Sequence, residues 1–394
     1  MKFLGSPTQR ILHLSVVLGF CGAMFVVAPS VAQAQTTTDE LYISHYELNQ
    51  ANNATLRYDY SQTGTNAPTF TENEGDGTNT TPYLSGAGVA VSEGTSASQN
   101  QIFGVGGAGN NVVLVYDKGS KKYLGSINGF SSVGNIALSN DGKSLYVADE
   151  SGSALYDVDL TQLASSNNAN VSTPGLATKV TGTKWHDVTV DPFTGSVFAS
   201  GYTDGANKGL YKFSSTLTNQ TTFLAAPTTG GFTQTTIAGT LGNETLYVMN
   251  NQGQGNNALG SIIQATGVGN ATATTSSTLA SSHSLAFGFG LQNGPNGNLY
   301  AASLNGFSGG AVTDSSNISL VNTTTASVTE VISGTVNKPN ASANKLVDPK
   351  YFVYGTANAI KARTTFATVP EPGTFGLIAV GLLGMVARCR RARK

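Results

Sequence analysis

A short segment recurs along this chain, and it constrains the fold more than any other feature. Each copy is an aliphatic–aromatic pair followed by small residues: LYISH at 41–45, IFGVG at 102–106, LYVAD at 145–149, VFASG at 197–201, LYVMN at 246–250, LYAAS at 299–303 and YFVYG at 351–355. From Tyr42 to Phe352 the copies recur about every 52 residues, the period of solenoid, array and propeller repeats. Before several copies stands an apolar run ending in a turn: NIALSNDGKS at 135–144, DVTVDPFTGS at 187–196, TIAGTLGNET at 236–245 and FGFGLQNGPNGN at 287–298. Their Asp-Gly, Thr-Gly, Gly-Asn and Asn-Gly pairs suit tight hairpins. Further strands follow most copies, such as VVLVYD at 112–117, ALYDVD at 154–159 and GLYKF at 209–213. Four short antiparallel strands per repeat predict an all-β fold, a β-propeller of about seven four-stranded blades, with six as the alternative. The first copy lacks an inner strand before it and the last lacks an outer one, so the two half-repeats can share a blade.

Composition agrees with a turn-rich exported β protein. Charged residues make up 11% of the chain, against roughly 25% in ordinary soluble proteins. From Gln35 to Val369 there are 14 Lys and Arg against 21 Asp and Glu, a net charge of −7. An acidic body argues against nucleic acid as a partner, since phosphate recognition wants a basic face. The two cysteines, Cys21 and Cys389, both fall in terminal segments, so the body has neither a disulfide framework nor a thiolate metal site.

Those terminal segments read as addresses. Lys2 and Arg10 precede an apolar stretch at 11–28, and Ala32-Gln33-Ala34 supplies a small-x-small cleavage signal. Residues 1–34 are therefore expected to be a secretory signal helix, cut by signal peptidase after Ala34. At the other end Pro370-Glu371-Pro372 is followed by an apolar segment, Phe375 to Ala387, and a basic cluster of Arg388, Arg390, Arg391, Arg393 and Lys394. Thirteen apolar residues span only about 20 Å as a helix, short of a roughly 30 Å hydrocarbon core. The positive charge keeps that end cytoplasmic, which leaves Pro370 near the outer surface.

Residues 369–394 closely resemble the PEP-CTERM sorting tail, including the V-P-E-P-G-T opening. The resemblance implies an exosortase partner, a membrane protease acting near the Pro-Glu-Pro motif. It also implies transient residence in the inner membrane and a cell-surface or extracellular destination linked to extracellular polysaccharide. The expected domains are the signal peptide at 1–34, a repeat propeller at 35–368 and the sorting tail at 369–394 with its short transmembrane helix. The body more weakly resembles the YVTN and NHL-like propellers.

Candidate chemistry in the body is sparse. Glu72, Glu74 and Asp76 alternate before Gly77, imitating half of a calcium loop, but the closing bidentate Glu is missing. Calcium is thus the one cofactor suggested, and a solvated acidic loop is the plainer reading. His45, His186 and His283 fall on different repeats, and His186, in Trp185-His186-Asp187, is placed to face a central channel. Asp149, Asn250 and His45 end their LYVA-type strands, where a calcium-dependent lactonase-type propeller would gather ligands. Gly201 and Ser303 at the same position break that ring. No nucleophile elbow, phosphate loop or zinc pair occurs. The expectation is a non-catalytic body for structural or binding roles, with an axial-calcium hydrolase and a glycan- or peptide-binding propeller as alternatives.

Overall fold

Residues 145–148 show why the recurrent segment forms the middle of each sheet. Leu145, Tyr146, Val147 and Ala148 are all buried, at 0–1% exposure. A strand alternates its faces, so burial of every residue means that both faces are covered. Leu145 and Val147 join Phe103, Val113 and Val115 of the preceding repeat. Tyr146 and Ala148 join Trp185, Val197 and Phe213 of the following one. The next copies repeat the pattern: Phe198 and Val248 share one cluster, and Tyr247 shares another with Leu299 and Ala301. Each such Leu or Val contributes about 1.5–3 kcal/mol by leaving water.

The computed structural model describes residues 38–47, 54–61, 69–74, 84–93, 101–106, 111–118, 123–162, 171–172, 177–201, 208–251, 259–286, 288–304, 307–308, 311–312, 316–333, 351–358 and 360–361. The strands of the first two repeats are β1 (Thr38–Glu47), β2 (Ala54–Ser61), β3 (Thr69–Glu74), β4 (Leu84–Glu93), β5 (Gln101–Gly106), β6 (Val112–Asp117) and β7 (Tyr123–Asn128). Then come β8 (Val133–Leu138), β9 (Ser144–Asp149), β10 (Ala154–Asp159), β11 (Val171–Ser172), β12 (Ala177–Thr181), β13 (Trp185–Val190), β14 (Val197–Gly201), β15 (Gly209–Phe213) and β16 (Thr221–Ala225). The remainder are β17 (Gly231–Thr240), β18 (Asn243–Asn251), β19 (Gly260–Thr266), β20 (Thr275–Ser282), β21 (Gly288–Asn293), β22 (Leu299–Leu304), β23 (Phe307–Ser308), β24 (Ala311–Val312), β25 (Ser316–Val321), β26 (Val328–Ser333), β27 (Tyr351–Asn358) and β28 (Ile360–Lys361).

These strands build an all-β propeller. Five sheets are regular four-stranded blades, ordered β27-β1-β2-β3, β8-β9-β10-β12, β13-β14-β15-β16, β17-β18-β19-β20 and β21-β22-β25-β26. One further sheet has six strands, in which the meander β4-β5-β6-β7 is extended by β28 beside β4 and β11 beside β7; β23 and β24 form a separate two-stranded ribbon. The first strands pack side by side around the axis, β4 against β8, then β13, β17, β21, β27 and back to β4.

The expected count of about seven blades is therefore corrected. Seven segments were counted, but two of them share one sheet. The last, Tyr351–Gly355, is not the second strand of its own blade. It lies in β27 and pairs antiparallel with β1, His45 opposite Val353 and Tyr46 opposite Phe352. The ring thus closes by hydrogen bonds between the two ends of the body, which removes the open sheet edges a linear array would leave.

Neighbouring inner strands approach closely, and two glycines show how. A Cβ on Gly88 of β4 would lie 2.7 Å from both Asn135 Cα and Ile136 N of β8, and one on Gly134 of β8 would collide with the His186 carbonyl of β13. Among the described residues helix is limited to single turns at Leu160–Gln162, His283–Leu285 and Pro295–Gly297, and none is long and apolar enough to cross a membrane. The signal helix and the C-terminal transmembrane helix read from the sequence lie outside the described residues.

Candidate functional site

Each inner strand from β4 to β21 slips register against its second strand early in its course. On β8, Val133 pairs with Asp149 and Asn135 with Ala148, so Gly134 is passed over. On β13, Trp185 pairs with Gly201 and Asp187 with Ser200, passing His186. Similar shifts separate Phe232 from Thr235 on β17, Gly288 from Gly290 on β21 and Leu84 from Val89 on β4. An extra residue in one strand bends it and re-aims the side chains that follow.

The residues that follow the shift on β8, β13 and β17 are Asn135, Asp187 and Thr235, and they meet. Asp187 is 0% exposed. Its Oδ1 accepts from Asn135 Nδ2, and its Oδ2 accepts from Thr235 Oγ1 at 2.5 Å. Asn135 Nδ2 also donates to Gln234 Oε1 at 3.2 Å. The amide's orientation is set by Ile136, whose backbone N–H donates to Asn135 Oδ1 at 2.8 Å. Burial raises the Asp187 pKa above the usual carboxylate value; the bonds from Thr235 and Asn135 and the nearby His186 oppose that shift. Three consecutive blades are thus joined through one carboxyl group.

Directly beside this knot lies an axial cavity of about 180 Å³. Asn135 and Thr235 are part of its wall, while Asp187 lies behind them. The rest of the wall comes from the later halves of the inner strands and the hairpin turns: Asn140, Thr189, Thr236 and Asn293 supply polar groups among Val, Ile and Leu side chains. Asn293 ties two blades, donating to Ile237 O at 2.8 Å and accepting from Thr236 Oγ1 at 3.3 Å. Asn140 Nδ2 donates to Asp191 O at 2.9 Å. Among the described residues the lining carries amides and hydroxyls and no charged side chain.

His186, expected in the channel, is not part of the cavity wall. It occupies the passed-over position, and its Nδ1 lies 3.3 Å from Glu150 Oε2. That hydrogen bond holds the Glu150 carboxyl below its usual range against the opposing effect of burial. His283 opens the single turn before β21, and His45 is placed by its register on β1. Among the described residues no three His, Cys, Asp or Glu side chains come together.

Asp149, the best of the residues ending LYVA-type strands, is engaged with backbone. Its carboxylate accepts from the N–H groups of Ser131, Ser132 and Gly152, each at 2.9 Å. At the matching places Ser303 Oγ lies 2.5 Å from both Ser284 O and Asn317 Oδ1, its single proton serving one of them, and buried Asn250 Oδ1 meets no hydrogen-bond partner among the described residues. Glu72 and Glu74 lie on β3, opposite Arg57 and Thr55 of β2, while Asp76 lies outside the described residues. Ala32, Ala34, the Pro370-Glu371-Pro372 motif and the basic cluster from Arg388 to Lys394 lie outside them as well.

Sequence reasoning missed Asn135, Gln234 and Thr235. Asp187 was noted only as the neighbour of His186. The available signal was a polar residue at the head of an otherwise apolar inner strand, as in N-I-A-L at 135–138 and D-V-T-V at 187–190.

Comparison with known proteins supports two separate parts of this picture. Among solved structures, a chain of the nidogen/laminin complex superposes with a TM-score of 0.53 at 11% identity, covering 82% of this chain and 98% of that one. A candidate 6-phosphogluconolactonase from Bacteroides uniformis gives a TM-score of 0.48 at 11% identity, covering 82% and 99%. Such likeness speaks to fold alone. No curated protein sequence matches the chain. Residues 368–391 match the PEP-CTERM protein-sorting motif, which implies exosortase-sorted export.

Proposed function

We propose that this chain is an exosortase-processed surface or matrix protein whose propeller body acts outside the inner membrane by binding or structural display, not by catalysis. The sorting motif at 368–391 carries the reading. In it, signal peptidase releases the body at Gln35, the tail holds it at the membrane, and exosortase cuts near Pro370-Glu371-Pro372. The ring-closing strands lie close upstream: nine peptide steps from Lys361 to Pro370 span at most roughly 30 Å. Cleavage at the motif would therefore spare the closing strands. Extracellular polysaccharide is the partner this destination suggests. The non-catalytic half of the reading draws on Asp187, the fully buried carboxyl beside the cavity. It already accepts from Asn135 and Thr235 and sits behind them, so it offers no accessible base.

The test is intact-mass analysis and fractionation of the protein in a host that carries exosortase. The native chain should appear outside the inner membrane, starting at Gln35 and ending near the Pro-Glu-Pro motif. A P370A/E371A/P372A variant should retain its tail and stay membrane-bound. Identical masses and locations for the two would overturn the proposal.

A further inference from the structure

We infer that the axial cavity is a binding site for one small, neutral polyhydroxy molecule, a monosaccharide or cyclitol. The inference deepens the binding role proposed above and relies on that reading only for where the ligand is met.

Size comes first. About 180 Å³ is room for a single sugar-sized ring. Shape follows from the knot: Asn135 and Thr235, locked onto Asp187, form one wall of the cavity between β8 and β17.

The lining then selects the chemistry. Side-chain amides and hydroxyls both donate and accept, as a sugar hydroxyl does. Asn140, Thr189, Thr236 and Asn293 present such groups from four hairpins around the axis. Val89, Val188 and Ile237 stand between them, suited to the C–H faces of a ring. An anion meets no cation among the described residues of this lining. A bare cation is equally poorly served. Neither Asp187 nor Gln234 is part of the lining, and no carboxylate among the described residues faces the cavity to hold an ion. What the walls match is a molecule without charge that offers several hydroxyls.

Thr189 is the residue to probe, because it lines the cavity and stands outside the Asp187 knot. The exported protein should give saturable heats in calorimetry with at least one of a panel of neutral hexoses, pentoses and inositols. Glucuronate and galacturonate should bind at least ten-fold more weakly than the matching neutral hexose. T189V, similar in volume but without the hydroxyl, should weaken binding about ten-fold, and T189S should restore it; unchanged circular dichroism would show that both fold. The inference fails if no neutral member of the panel binds, if the uronates bind as well as the hexoses, or if T189V leaves affinity unchanged. Binding by purified protein is independent of tail processing, so failure here is distinguishable from failure of the sorting reading.

Discussion

Asp149 and Asp187 are both buried aspartates next to a second strand, yet they organise different levels of the molecule. Asp149 ends β9 and turns its carboxylate back on its own repeat, holding the backbone of Ser131, Ser132 and Gly152. It fixes how one blade begins and how its outer hairpin starts. Asp187 lies early in β13 and receives side chains from the blades on either side, Asn135 and Thr235. It fixes how blades sit against each other. The difference teaches that one residue type serves local capping when its donors are backbone amides, and assembly when its donors are side chains from neighbouring units.

Substitution should separate the two roles. D187A leaves the Thr235 hydroxyl without its acceptor and the Asn135 amide with only its longer bond to Gln234, where an orphaned buried group costs about 1–3 kcal/mol. We expect a loss of about 3 kcal/mol or more in urea unfolding, with altered NMR signals on three blades. D149A removes the acceptor from three backbone N–H groups beside solvent, where water can partly replace it. The expected loss is about 2 kcal/mol, with faster amide exchange confined to Ser131, Ser132 and Gly152. Equal and equally widespread effects for the two variants would break the comparison.

Acidity sharpens it. Burial holds the folded-state pKa of Asp187 above the ordinary aspartate value of 3.8. The folded form therefore holds that proton more tightly than the unfolded chain does. Its contribution to stability is full below pH 3.8 and is lost as pH rises through the raised folded value. D187N cannot lose this proton, so unfolding curves should show a smaller decline for D187N than for the native chain over that window. Parallel profiles would mean that Asp187 is not the titrating group.

Gly134→Ala tests the close approach of β8 and β13 without touching either carboxylate. A Cβ there collides with the His186 carbonyl, and we expect a loss of about 1–2 kcal/mol by thermal unfolding. The smallest effect is expected at the rim: E150Q should cost about 0.5 kcal/mol, because the His186–Glu150 pair is partly solvated. The bond from His186 holds the Glu150 pKa down, so that small contribution is present above the ordinary glutamate value of 4.5 and fades as pH falls through the lowered folded value.

The repeat was legible because it is a matter of composition along the chain. Leu145-Tyr146-Val147-Ala148 reads as a strand covered on both faces, and its recurrence reads as a set of radial sheets. The turns were legible for the same reason, since S-N-D-G-K and D-P-F-T-G carry their own hydrogen-bonding partners: Asp141 Oδ1 accepts from Ser139 Oγ, and Asp191 Oδ1 from Phe193 N. The blade count was not, because the sequence of Tyr351–Gly355 cannot tell a second strand from an inner strand that closes the ring onto β1. Nor was the channel-facing residue. His186 reads as channel-facing from its place at the opening of an inner strand, but the register shift passes over it, and Asp187 is the residue that meets the neighbouring blades.

What the sequence determined by itself is the all-β repeat, its hairpin chemistry and the sorting motif at the C-terminus, each a short-range pattern readable residue by residue. What only the tertiary structure decided is where the ring closes and which polar side chains meet at its axis. Both depend on pairings between residues far apart in the chain, β1 with β27 and Asn135 with Asp187 and Thr235. A one-residue slip in a strand reverses which side chain faces inward, and only the packed neighbours determine where that slip falls.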